Sequence, residues 1–172
     1  MRIRSNHWIN RQRDMVNGVQ SCELHLTVPD WFFQLESGKK KFEYRKNFPS
    51  DKVTAYFYVS TPVKAITGIA NFDLRQSLSE WPEKYSDRSS EVLSRIEDFL
   101  SDCRYAMPVL SFQPTSRIPL NTLRADLPNF IVPRMYYYID ETPLLQYLQR
   151  NLMHNSSEIR NSFVEILDED IC

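Results

Sequence analysis

Leu24, Leu26 and Val28 alternate with polar neighbours in "CELHLTV", the period of a half-buried strand. Helix punctuation follows in "TVPDWFFQLESG". Thr27 can cap, Pro29 suits the first turn, and Asp30 favours the positive helix end. Trp31, Phe32 and Leu35 fall on one helical face, and Gly38 is the stop, where a positive φ is cheap only for glycine. Beyond Gly38 the period drops to two. Lys41, Glu43 and Arg45 then share one face of a strand, with Phe42 and Tyr44 on the other. "VTAYFYV" (53–59) reads as a central strand, and "VKAITGIANF" (63–72) as its neighbour across a short turn. Gly68 marks a bulge or a close approach in that second strand.

The clearest helix is 89–103, capped by Ser89 or Ser90, with Val92, Leu93, Ile96, Phe99, Leu100 and Cys103 as its apolar stripe. A strand at 105–112 follows, in which Pro108 signals an edge or bulge. Residues 118–127 read as a short capped turn of helix, 134–139 as a last strand, and 142–153 as a helix capped by Thr142 with Pro143 behind it. The order, β-α-β-β-β-α-β-β-α, lacks the βαβ alternation of a doubly wound sheet. It fits an α+β fold: a small, mixed, strongly curved sheet or barrel with helices at its ends.

Composition limits the possible partners. The 172 residues suit one compact domain with modest tails, and the net charge of −1 means any polyanion must be bound by local asymmetry. Residues 1–20 hold Arg2, Arg4, Arg11 and Arg13 against Asp14, a net of +3, and read as a flexible basic arm. Residues 21–154 form the domain. Residues 155–172, at a net of −4, read as an acidic tail in which Phe163, Val164, Ile166 and Leu167 can dock locally, or which covers a basic cleft. Cys22, Cys103 and Cys172 are widely spaced, as are His7, His25 and His154, so neither a disulfide framework nor a metal site is expected. Reduced thiols, with no secretory signal and no membrane span, point to the cytoplasm.

The stretch "SGKKKFEYRK" packs five basic residues around one glutamate. Gly38-x-Lys40-x-x-Glu43-x-Arg45 resembles the GxKxxExR signature of the ASCH family. The aromatic-bearing helix before it, the strand pair ending in "TGIANF", the "YAMPV" strand after a helix and Pro133-x-x-Tyr136 also look similar, so that the resemblance spans about residues 22–140. It implies a PUA-like β-barrel, mainly antiparallel and flanked by helices, and a module that binds RNA or another single-stranded nucleic acid, with a role in transcriptional or RNA regulation. No cofactor is implied, and protein partners stay open.

Each candidate residue has two readings. Lys39 and Lys41 are either surface cations opposing a helix C-terminal dipole or phosphate contacts, whereas the resemblance places Lys40 in the central cleft. Glu43 and Arg45 are either a structural ion pair or a pocket in which Arg45 forks to phosphate and Glu43 accepts from a base edge or hydroxyl. Tyr44, Tyr56, Tyr58, Tyr136 and Tyr138 are core residues or stacking faces, and Tyr136 is the one assigned to the cleft. Ser60 and Thr61, at a strand end, form a plain turn or a ligand contact. The alternative to binding is chemistry in the same cleft, either a ribonuclease, metal-independent or metal-assisted, or a small nucleoside-directed hydrolase, with Lys40, Glu43 and Tyr44 as candidates. The amidohydrolase branch of the family implies a lysine, a threonine and a glutamate, yet residues 39–43 here contain no threonine.

Overall fold

The computed structural model describes residues 21–171; the basic stretch 1–20 and Cys172 lie outside the described residues. Nine strands form one curled sheet: β1 (Ser21–Thr27), β2 (Phe42–Arg45), β3 (Val53–Val59), β4 (Ala65–Phe72), β5 (Gln76–Ser77), β6 (Tyr105–Gln113), β7 (Ile118–Pro119), β8 (Tyr136–Tyr138) and β9 (Ile159–Arg160). The path runs β2-β6-β4-β3-β1-β8, with β5 and β9 added to β6 and β7 to β4. All pairings are antiparallel except β1–β3. Among the described residues, five α-helices flank it: α1 (Pro29–Glu36), α2 (Trp81–Lys84), α3 (Ser90–Asp102), α4 (Leu120–Asp126) and α5 (Pro143–Asn151). This is the α+β curved sheet that the hydrophobic pattern implies.

Strand periodicity sorts the side chains into three cores. Val53, Ala55, Phe57 and Val59 of β3 point inside the curl and meet Phe72, Met107, Phe112 and the Phe32–Leu35 face of α1. Tyr56 and Tyr58, on the other face of β3, are buried with Leu24, Ile66, Leu123 and Leu148 under α4 and α5. A third core gathers Phe42 and Tyr44 of β2 with Trp81, Val92, Ile96 and Ile171. Each fully buried aliphatic or aromatic side chain contributes about 1.5–3 kcal/mol, so all three cores bear on stability.

Two glycines set the geometry near the site. Gly38 has φ +70° and ends α1, its N–H donating to the Leu35 carbonyl at 3.0 Å. Gly68 has φ +77° and lies with Thr67 opposite the single residue Phe57, at a bulge between β3 and β4. A Cβ there would sit 2.6 Å from the Phe112 ring and 2.8 Å from Phe32, so the position demands glycine for both reasons.

Several expectations change at this level. Thr27 does not cap α1; the capping position falls to Val28, and no side-chain bond is made there. Both faces of β1 are covered: Glu23 and His25 are as buried as Leu24, because β1 lies between β3 and β8 with a core on each side. The segment 155–171 is not a projecting tail. Ile159 pairs with Phe112, Ile171 is fully buried, and Asp170 binds Lys41 at 2.8 Å. Its apolar residues supply burial that the acidic composition hides. Among the described residues, no helix is long and apolar enough to cross a membrane.

Candidate functional site

Gly38 turns the chain out of α1 and into β2, and that turn brings three charged side chains together. Lys40 Nζ lies 2.7 Å from Glu43 Oε2, and Arg45 Nε donates to Glu43 Oε1 at 3.0 Å. Arg45 Nη2 also donates to the Leu26 carbonyl at 3.2 Å. The Lys40 and Glu43 side chains are only 7% and 3% exposed, and Arg45 is 15% exposed. Desolvating such groups costs several kcal/mol each, so the glutamate must be met from both sides. The three residues together carry a net formal charge of +1.

Lys41 lies outside this group. The period-two expectation put it beside Glu43 and Arg45, but β2 begins only at Phe42 and Lys41 turns to Asp170. Lys39 is exposed on the turn. Tyr44 projects through the opposite face of β2, stacked on Phe99 with ring centroids 4.0 Å apart and edge-on to Trp81. It is therefore a core residue, separated from Lys40 and Glu43 by the strand itself. Ser60 and Thr61 occupy the β3–β4 turn, where the Ser60 N–H donates to the Thr27 carbonyl at 3.0 Å, one residue beyond the carbonyl that Arg45 holds. Tyr56 and Tyr58 are buried under α4 and α5, so neither is a stacking face.

Tyr136 lies half-buried on β8, paired in register with His25 and stacked on its ring at 5.3 Å and 17°. Below it is a second polar group. His25 Nε2 and Glu23 Oε2 are 2.6 Å apart, and both residues are essentially inaccessible. Burial, helped by the charge of Asp140, pushes the Glu23 carboxyl up to about 8. Burial and the nearby Arg45 push the His25 imidazole down to about 3. Both shifts run toward the neutral forms, so burial favours a hydrogen bond over an ion pair at this 2.6 Å contact.

The sequence pattern missed two participants. Spacing puts Trp31 on the face of Phe32 and Leu35, but it is 46% exposed and its ring lies 4.6 Å from Lys40 Nζ. Arg75 donates to the Phe48 carbonyl and covers the Tyr105 ring at 4.2 Å, and its charge reaches Tyr136. Trp31 precedes Lys40 by nine residues, the length of one short helix and its stop, and that spacing was the available signal. Arg75 carried none, because only the long-range pairing of β6 brings it close. Among the described residues, no group of three or more His, Cys, Asp or Glu side chains could hold a metal.

Solved structures that match this architecture include ASCH from Zymomonas mobilis and two of its variants. That protein itself aligns at 20% identity and a TM-score of 0.58, over 78% of this chain and 97% of the other. Two single-substitution variants align at 18% and 19% identity, each with a TM-score of 0.57, over 76% and 78% of this chain. The chain has the ASCH fold. No family model and no curated protein matches the sequence. In the ASCH fold of this chain, the Gly38–Arg45 signature occupies the junction of α1 and β2, with three of its four residues joined in one buried ionic cluster.

Proposed function

We propose that the protein binds single-stranded nucleic acid, RNA in preference to duplex DNA, in the cleft around Lys40, Glu43 and Arg45. The observation that carries this reading is the pairing of a buried, net-positive cluster with an exposed indole. Lys40 is held between Glu43 and the Trp31 ring, so a phosphate and a base face can be met within one nucleotide's reach. Arg45 has five N–H donors and commits two of them to Glu43 and Leu26, leaving the rest of its fork for a phosphate. Lys39, Ser60, Thr61 and Tyr136 form the rim. A role in RNA or transcriptional regulation would act through this binding.

The test is anisotropy of labelled single-stranded RNA, single-stranded DNA and duplex across a salt series. Affinity should fall with salt, because neutralised phosphates release counterions, and Arg45→Ala should weaken it at every salt concentration. A flat salt response that Arg45→Ala does not change would end the proposal. The same RNA incubated with and without chelator reports cleavage. The stacking of Tyr44 on Phe99 favours the binding reading over cleavage by a lysine–glutamate–tyrosine set.

A further inference from the structure

We propose that the cavity beside β5 and α2 is a second nucleotide subsite on the same strand track as the Lys40–Glu43–Arg45 cleft; this rests on the nucleic-acid reading above. The cavity has a volume of about 420 Å³ and is lined by Arg75, Gln76, Ser77, Glu80, Lys84 and Tyr105, with Trp81 at its base. It is connected to the cleft by strand register. Arg45 is paired with Tyr105 across β2–β6, and Tyr105 with Ser77 across β6–β5. Paired residues project from the same face, so Arg45, Tyr105 and Ser77 form one row about 10 Å long, two strand spacings.

Arg75 makes the connection continuous. Its guanidinium covers the ring of Tyr105, the middle residue of that row, and Arg75 and Tyr105 both line the cavity. β5 is an edge strand, bonded to β6 on one side only. Ser77 faces the row, whereas Gln76 pairs with Ala106 as Tyr44 does and projects from the other face with Trp81 and Lys84, so the cavity wraps this edge and an extended strand reaches them by turning past it. Its chemistry suits a nucleotide. Arg75 and Lys84 supply cations for phosphate, while Gln76 and Glu80 offer amide and carboxylate groups for a base edge or a ribose hydroxyl. Gln76 Oε1 already accepts from Trp81 Nε1 and from Lys84 Nζ, both at 3.2 Å, so the amide is fixed in orientation before any ligand arrives.

The experiment compares oligouridylates of ~3 and ~8 nucleotides, lengths that fill one subsite or span both. The variants are Lys84→Glu, which reverses an exposed charge, and Ser77→Tyr, which fills the cavity mouth without changing charge. Both should weaken the longer RNA about tenfold and leave the shorter one within about twofold, and Lys84→Ala should lower the salt slope for the longer RNA by about one. Arg45→Ala should weaken both lengths. If Lys84→Glu and Ser77→Tyr bind the longer RNA like the wild type while Arg45→Ala does not, the subsite is wrong and the cleft stands. If the pocket variants lose both lengths equally, a separate subsite is likewise excluded. If the wild type binds neither length, both proposals fall.

Discussion

Two buried carboxyl groups, on β2 and β1, are handled in opposite ways. Glu43, on β2, is clamped by Lys40 and Arg45. Glu23, on β1, faces His25 and is held up near 8, so it carries a proton at neutral pH. One carboxyl is compensated by charge, the other by neutralisation. The difference teaches why the first cluster is the better candidate for recognition. It retains net charge and touches an exposed ring, whereas the second is silent at pH 7 and lies beneath Tyr136.

The largest expected effect separates the two directly. Glu43→Ala leaves Lys40 and Arg45 buried without their shared anion and should cost about 3–5 kcal/mol, read from urea unfolding. Glu23→Gln, which keeps a neutral group of the same shape, should cost far less under the same conditions. Equal losses would abolish the distinction.

Next comes binding. Trp31→Ala should weaken single-stranded RNA by about 1–3 kcal/mol, the range for one stacked base, with unfolding nearly unchanged because the ring is half exposed. Anisotropy and urea midpoints measured on the same variant check both halves.

A third prediction concerns pH. Between the usual carboxyl range and about 8, native Glu23 binds a proton that the unfolded chain has lost, so its contribution to stability falls as pH rises through that window. His25 has the opposite sign. Its folded value near 3 lies below the unfolded 6.5, so its contribution grows as pH rises from 3 to 6.5. The two oppose each other where the windows overlap, and the Glu23 decline stands alone from 6.5 to 8. Urea midpoints in that upper interval should therefore fall for the wild type and flatten for Glu23→Gln; parallel curves would show that Glu23 is not the titrating group.

The smallest effect tests the strand face. Tyr44→Phe should leave RNA affinity unchanged and shift stability by no more than about 1 kcal/mol, since the ring stacking on Phe99 survives.

Much of the architecture could be read locally. The α3 stripe, the Gly38 stop and the β-prone runs of β3 and β4 each carry their own periodicity, and the signature residues Lys40, Glu43 and Arg45 do converge. What could not be read depends on pairing far along the chain. Glu23 and His25 look like the solvent face of a strand until Phe48, Phe57 and Phe72 pack over His25. Tyr44 looks like a site residue until α3 places Phe99 against it. Trp31 shares the apolar character of Phe32 and Leu35, yet they pack into the first core and it stays exposed. The short α2 shows no stripe, yet its Trp81 anchors the third core. Asp170 belongs to an acidic run by composition but closes on Lys41.

In the sheet order, β2 and β1–β8 lie at opposite ends of the path, so no ladder of backbone bonds joins them. Arg45 spans that gap, one nitrogen on Glu43 of its own strand and another on the Leu26 carbonyl of β1. The curl is stitched there by a side chain, and a stitch can be let out where a woven edge cannot. A phosphate that draws the guanidinium away from Leu26 would open the seam by a single rotamer change, without breaking any strand pair. Recognition and the widening of the cleft would then be one event at one residue.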